Sequence, residues 1–112
     1  MMNFEDSVEQ YVTDVNVVML NNSENQSYVT LVTAHFAKNY VKLVKKNYDR
    51  KTMKEHEMSG SVYAFIVKNP NDKMFNLGDI LKPASFKAPA RNFARGNVFV
   101  DNTYYPISSY SA

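Results

Sequence analysis

The residues best suited to chemistry in this 112-residue chain are basic and aromatic side chains gathered between Leu77 and Asn102. The candidate binding residues of this segment are Lys82, Phe86, Lys87, Arg91 and Arg95, with Phe93 among them. Lysine and arginine can neutralise phosphates, and aromatic rings offer stacking faces for unpaired bases. The combination predicts a surface that binds nucleic acid or another partner.

A second explanation of the same residues stays open. Phe86 and Phe93 could be core anchors that hold an irregular loop down, because most large apolar side chains are buried. The basic residues would then face solvent without a partner. For the arginines, a site presented on a scaffold by a Pro- and Gly-framed loop is an equally good explanation.

Local signals position these side chains. Gly78-Asp79 is a typical turn pair, since glycine reaches positive φ at no steric cost. Pro89 suits the first position of a short helix over Ala90 to Arg95, and Gly96 suits its left-handed end. On a helix, the basic residues would share one stripe. The members of that stripe would be Lys87, Arg91 and Arg95.

The segment also resembles a known pattern. Residues 78–91 and 94–99 fit G-D-x-x-K-x-A-S-aromatic-K-A-P-A-basic followed by A-R-G-N-hydrophobic, a signature of small proteins of tailed phages. It covers about a quarter of the chain. The resemblance implies a phage accessory protein that acts in the host cytoplasm, and it implies no catalytic residue.

Composition limits the class of protein. An apolar content of 45% with 21% charged residues is typical of a globular chain, and residues 1–112 are long enough for a single domain. The chain has no cysteine and therefore no disulfide or thiolate chemistry. It lacks the run of about 18 apolar residues that a membrane span needs. We expect a cytoplasmic protein without a membrane partner.

A second basic region lies between residues 38 and 54. Its seven basic residues face one acid, Asp49. The seven are Lys38, Lys42, Lys45, Lys46, Arg50, Lys51 and Lys54. Lys42 and Lys46 are the candidates for phosphate contacts, although a lysine-rich face opposite a core needs no partner.

The segment from Phe36 to Tyr48 can be interpreted as a strand or a helix. As a strand, one face would place three lysines among aromatic residues, and such a face cannot be buried. As a helix, the apolar residues share one arc and the lysines gather opposite. The pattern favours a helix, with Asn47 as its one violation. Residues 49–58 could extend that helix or form a mobile loop.

The remaining elements complete an α+β prediction. Asn3 can cap a first helix, whose apolar residues run from Phe4 to Val12. Strands are predicted at Val15 to Leu20 and Tyr28 to Thr33, as a hairpin, at Ser61 to Lys68, as a central strand, and at Thr103 to Ile107, as an edge strand. The fold predicted is a mostly antiparallel sheet of four to six strands with two helices on one face and a short Pro/Gly-bounded basic helix.

The sequence offers no set of catalytic groups. His35 and His56 are the histidines, and neither has the spacing of a helical zinc site. We therefore expect a non-enzymatic protein without metal or cofactor. Two functions remain: nucleic-acid binding through the basic loop, and a protein-binding module that inhibits a host factor such as a polymerase, nuclease or defence protein. Salt separates them, because polyanion binding weakens steeply as salt rises.

Overall fold

A computed structural model describes residues 3–24, 26–56 and 60–100 of the chain. Its elements are α1 (Phe4–Asn22), β1 (Tyr28–Phe36), β2 (Tyr40–Asp49), β3 (Ser61–Val67), β4 (Asp79–Leu81) and β5 (Gly96–Asn97). The strands form one sheet in the order β1-β2-β3-β4-β5, and every neighbouring pair is antiparallel. The predicted α+β class and the antiparallel sheet of four to six strands are confirmed. The second helix and the basic helix are not found in the described residues.

Helix α1 begins where the sequence predicts. The Asn3 side chain accepts a hydrogen bond from the Asp6 backbone N–H at 2.8 Å, and Glu5 and Asp6 lie in the first turn. The helix continues to Asn22, so the strand predicted over Val15 to Leu20 and its hairpin are wrong. Burial on the sheet outweighs the β-branched composition of that run. The buried stripe consists of Ser7, Val8, Tyr11, Val15 and Met19. No helix of the described residues is long and apolar enough to cross a membrane.

The main core lies between α1 and one face of the sheet. The sheet contributes Val32, Val41, Leu43, Tyr63, Ala64, Ile66 and Ile80 to it. A β-bulge in β3 adds Tyr63 to this core. Leu43 pairs with Ala64 but Val44 pairs with Val62, which leaves Tyr63 as the extra residue. Strand β3 is third of five strands and is buried from Val62 to Val67, so its predicted central position is confirmed.

The predicted helix over Phe36 to Tyr48 is wrong, because residues 40–49 form strand β2. Val41 and Leu43 face α1, and the lysine-bearing face points to the opposite side of the sheet. An antiparallel sheet needs only one buried face, so a lysine-bearing second face is no argument against a strand. Asn47, which violated the helical pattern, accepts a cross-strand hydrogen bond from Thr30 Oγ1 at 2.6 Å.

The segment after β2 is an ordered turn as far as residue 56. The Asp49 carboxylate accepts hydrogen bonds from the Thr52 and Lys51 backbone N–H groups, which hold the pKa of Asp49 below its usual value. Met53 adopts a φ of 59°, and Glu55 returns to pair with Tyr48. The segment therefore does not extend a helix. Residues 57 and 58 lie outside the described residues.

The loop between β4 and β5 contains no helix, so the predicted helix over Ala90 to Arg95 is wrong. Ala88, which would precede Pro89 as the N-cap, has no side-chain acceptor, and a six-residue helix is too short to form without one. Gly96 is the first residue of β5 and ends no helix. The predicted turn at Gly78-Asp79 is confirmed, with a φ of 89° at Gly78. The edge strand predicted at Thr103 to Ile107 lies outside the described residues.

Candidate nucleic-acid interface

The sheet face opposite α1, here called the outer face, carries a groove of about 530 Å³. We call it the outer groove. Its lining consists of His35, Phe36, Ala37, Lys42, Val44, Lys46, Glu55, Gly60 and Phe86. Alternate residues of a strand point to the same face, so Lys42, Val44 and Lys46 follow one another along the floor. The groove therefore joins residues of β1 and β2, Glu55 and Gly60 from the connection between β2 and β3, and Phe86 of the β4–β5 loop.

Phe86 lies over Lys42. The Lys42 ammonium is 4.0 Å from the centroid of the Phe86 ring and 6.0 Å from that of Phe65. A cation at this distance from a ring face is attracted to it. Phe86 nevertheless keeps 53% of its surface exposed, and Phe93 keeps 52%. Neither phenylalanine is the buried anchor that the alternative explanation required; that place is taken by Phe75, which is 7% exposed.

The charge of the outer groove is set by two lysines and one glutamate. Lys46 Nζ lies 3.5 Å from Glu55 Oε1, and both side chains are partly exposed. Lys42 contacts aromatic rings and has no carboxylate as an ion-pair partner among the described residues. At the rim, His35 Nε2 and Thr33 Oγ1 are 3.0 Å apart. The groove is therefore positive at Lys42 and close to neutral at Lys46.

A tight loop presents Phe86 to the sheet. Pro83 and Pro89 face each other as an isolated antiparallel bridge, which closes the loop at its base. Within it, Ser85 Oγ accepts hydrogen bonds from the backbone N–H groups of Lys87 and Ala88. Lys87 is exposed beside Phe86. The side-chain and backbone bonds fix the loop without a helix and place a lysine next to the ring.

Arg91 fastens this loop to the protein. Its guanidinium makes a bidentate pair with the Asp72 carboxylate at 2.9 and 3.0 Å, and it donates to Tyr40 Oη at 2.5 Å. It also lies 5.0 Å from the Phe75 ring centroid. The Arg91 bonds, helped by the Met74 and Phe75 N–H groups, hold the pKa of Asp72 well below its usual range. The pair in turn raises the pKa of Arg91. This geometry favours a structural role for Arg91.

The other predicted residues of the segment are dispersed. Arg95 stacks on Phe93, with its guanidinium carbon 4.1 Å from the ring centroid, and neither residue borders the outer groove. Lys82 is partly buried, and its carbonyl accepts a bond from the Ala90 N–H at 2.7 Å. Without a helix, Lys87, Arg91 and Arg95 do not form the helical stripe that was predicted.

The second basic region is also divided by the structure. Lys42 and Lys46 reach the outer groove, whereas Lys45 lies on the α1 side in a cavity of about 250 Å³, where burial lowers its pKa. Arg50 donates to the carbonyls of Ser23 and Gln26 beyond the end of α1. The remaining members, Lys38, Lys51 and Lys54, are exposed outside the groove. The structure therefore brings together Lys42, Lys46 and Phe86 of the predicted site.

Several lining residues were missed from the sequence. Glu55, His35 and Gly60 line the groove, and no motif marks them. The Lys-x-Val-x-Lys alternation at residues 42–46 was the available signal, but a helical period was assigned to it. Among residues 3–24, 26–56 and 60–100, no three acidic or histidine side chains come close enough together to hold a metal ion.

Comparison with known proteins gives a family and no activity. No curated protein matches the chain. No solved structure matches it either. A family model described as "Family of unknown function (DUF7717)" matches residues 1–107. Since the match covers nearly the whole chain, the protein belongs to the DUF7717 family.

Proposed function

We propose that this protein is a small, non-enzymatic accessory protein that binds nucleic acid across its outer face. The proposal depends on one observation: Lys42 and Lys46 of β2 meet Phe86 of the basic loop in a single groove. Two segments about forty residues apart in the sequence thus bring lysines that can contact phosphates and an aromatic ring that can stack on a base to the same surface. The resemblance of residues 78–99 to a tailed-phage signature supports a role in the cytoplasm of an infected host cell.

The expected mechanism is charge neutralisation by lysines. Lys42 on the groove floor and the exposed Lys87 on the loop can each contact a backbone phosphate and release a condensed counterion. Lys46 can do so when a phosphate competes with Glu55 for its ammonium. Arg91 is excluded from this set because its guanidinium is occupied by Asp72 and Tyr40.

The test is a salt titration with matched variants. A labelled single strand and a labelled duplex are titrated at several salt concentrations with the parent, with Lys42→Gln/Lys46→Gln, and with Lys38→Gln/Lys51→Gln. Both double variants lose the same charge, but only the first pair lines the groove. Loss of the Lys42 contact should flatten the logarithmic salt slope by about 0.7 to 0.9 units, and by up to about 1.8 units where Lys46 also contacts phosphate. A parent that binds neither form at low salt contradicts the proposal.

A second function is supported by an adjoining surface, which shares Phe36 with the outer groove. Phe4 lies against Phe36 and Phe99, with ring centroids 6.5 and 6.3 Å apart, and the latter two rings are more than two-fifths exposed. Val100 beside them is also exposed. Exposed aromatic clusters of this kind are typical of protein interfaces. In this alternative, the protein occupies and inhibits a host polymerase, nuclease or defence protein.

Affinity capture from host lysate, with and without nuclease, separates the two functions. One stoichiometric protein that survives both nuclease and raised salt supports the protein-binding function, because a packed interface is less sensitive to salt. Its loss in a Phe99→Ser variant would assign the contact to the aromatic cluster, because Phe99 belongs to the cluster and does not line the outer groove. Recovery that depends on nucleic acid supports the first proposal.

A further inference from the structure

We infer that the outer groove accepts a single unpaired nucleotide, with its base stacked on the open face of Phe86 and its phosphate on Lys42. This inference rests on the proposed function and names the form of nucleic acid that the site takes. The shared chemistry is one stacked base and one phosphate, whether the nucleotide is free or part of an unpaired strand.

The size of the groove favours an unpaired nucleotide over a duplex. A volume of about 530 Å³ lies within the range of small-ligand sites, which is about 300 to 1,000 Å³. A duplex presents its phosphates on a wide convex surface and keeps its bases stacked inside. It can touch Lys87 at the rim but cannot place a base against Phe86. Only a nucleotide free of pairing can enter and use both kinds of contact.

The Phe86 ring is prepared for stacking on one side. Lys42 lies under one face at 4.0 Å, and about half of the residue remains exposed to solvent. The loop that carries the ring is closed at Pro83 and Pro89 and held by Ser85, so little ordering is needed when a base arrives. A fixed aromatic face is tolerant of base identity, because every base has a π-face.

The phosphate contacts lie within reach of the same ring. Lys42 and Lys46 are four residues apart on β2, which corresponds to roughly 13 Å along a strand. Because the Lys42 ammonium is 4.0 Å from the Phe86 ring centroid, a nucleotide stacked on Phe86 lies near Lys42. A nucleic-acid strand that continues from this nucleotide can follow the groove floor toward Lys46. Glu55 beside Lys46 weakens the second contact, so Lys42 should matter more than Lys46.

Phe93 offers a closely matched control for Phe86. The two residues are 52% and 53% exposed, and each has a cation about 4 Å from its ring. Of these two residues, Phe86 lines the groove and Phe93 does not. Phe86→Leu and Phe93→Leu thus remove equally exposed rings from the same loop, and a difference between them reports on the groove.

The experiment measures anisotropy of a short labelled oligo-dT and of a labelled hairpin duplex at several salt concentrations. Phe86→Leu should weaken binding of the single strand by at least about fivefold, the low end for loss of a stacked base, and leave duplex binding and the salt slope unchanged. Phe93→Leu should leave both unchanged. Thermal melts check that the variants fold. Equal effects from the two variants, or equal affinity for single strand and duplex, would overturn the inference.

A second readout uses adenosine monophosphate and the parent protein. A base stacked on Phe86 should show upfield ring-current shifts of its protons in NMR, and these should vanish in Phe86→Leu. Such shifts with the free nucleotide assign a free-nucleotide source, whereas shifts seen only with oligo-dT assign a strand; either supports the inference. If single strand and duplex bind equally and Lys42→Gln/Lys46→Gln flattens the slope, the proposed function holds and this inference fails. If nothing binds, both fail.

Discussion

Asn16 of α1 bonds to both backbone groups of Val32 in β1. The Val32 N–H donates to Asn16 Oδ1 at 2.8 Å, and Asn16 Nδ2 donates to the Val32 carbonyl at 3.2 Å. Since β1 is the first strand in the sheet order, its outer side has no neighbouring strand in the described sheet. Its nine residues contain no Lys, Arg, Asp, Glu or Pro, which commonly protect such edges. The Asn16 amide therefore protects the centre of the edge.

Asn16→Leu should destabilise the protein and promote self-association. Two polar backbone groups lose their partner, which costs about 1 to 3 kcal/mol for a buried group, and the free edge can pair with another chain. Urea unfolding measures the first effect and light scattering after gel filtration the second. Gln10→Leu on the exposed side of α1 is the control and should leave both unchanged. If the Asn16→Leu variant is monomeric and as stable as the parent, the edge of β1 does not need the Asn16 amide for protection.

Leu43→Ala should lower the free energy of unfolding by about 2 to 5 kcal/mol, the range for large-to-small core changes. Leu43 is 0% exposed and lies in the core under α1. Lys42→Ala, one residue away on the outer face, should have a much smaller effect. Denaturant melts of the two variants measure the difference. Small and similar effects from both would contradict the assignment of opposite faces.

Gly78→Ala should destabilise the protein more than Gly60→Ala does. Both glycines have positive φ, at 89° and 125°, so each substitution introduces backbone strain. Only at Gly78 would the new Cβ also meet neighbours, at 2.9 Å from Phe99 Cδ2 and 3.0 Å from Asn97 Oδ1. At Gly60 the same atom finds open space. In thermal denaturation, Gly78→Ala should have a lower melting temperature than Gly60→Ala. The reverse order would argue against the close approach of the Phe99 ring to Gly78.

The Arg91–Asp72 pair should make stability depend on acid. The pKa of Asp72 in the fold lies below its ordinary value of 3.8, so its ionised form stabilises the protein above that pH. This contribution is lost as pH falls below 3.8 toward the folded-state pKa. Asp72→Asn should therefore be less stable than the parent at pH 7, and the gap should narrow in acid.

Tyr40→Phe serves as the control for that pH profile. It removes the hydroxyl that accepts a hydrogen bond from Arg91 but keeps the carboxylate, so its gap to the parent should not narrow at low pH. Unfolding curves collected from pH 7 to pH 2 test both variants. A gap between Asp72→Asn and the parent that stays constant with pH would contradict the role assigned to the ion pair.

Glu55→Gln should tighten nucleic-acid binding and steepen its salt dependence. The substitution removes the negative charge 3.5 Å from Lys46 and leaves that lysine available for phosphate. The control is Glu9→Gln, which also removes one negative charge, but from an exposed position on α1. Asp79→Asn is not a suitable control, because the Asp79 carboxylate accepts hydrogen bonds from Asn76 and Asn97. Titrations at two salt concentrations compare Glu55→Gln with Glu9→Gln. Equal gains from both variants would indicate a general effect of net charge.

The sequence predicted the elements whose signals are local. The Asn3 cap, the Gly78 turn and the apolar strand at residues 61–67 each depend on a few neighbouring residues, and all three are confirmed. The error over the second half of α1 comes from tertiary burial. Val15 and Met19 were assigned to a strand by composition, but contact with the sheet keeps them in a helix.

For β2 the error came from assuming that a strand face with lysines among aromatic residues would have to be buried. Lys42 on that face instead lies between the sheet and Phe86. That contact joins residues 44 positions apart, so no local pattern could indicate it. Phe86, Lys42 and Lys46 were nevertheless selected as candidates from residue type alone, and the structure places them together.

The meander order of the sheet also sets a gradient of local opening. β1 and β2 pair along nine positions, whereas β3–β4 and β4–β5 pair at two positions each. Short pairings open most easily, so amide hydrogen exchange should be slow across β1–β3 and progressively faster toward β5. The Phe86 loop connects β4 to β5, so its position over β2 depends on these two short pairings and on the Arg91–Asp72 pair. A bound ligand that clamps this loop to β2 should be visible first as slower exchange at β4 and β5.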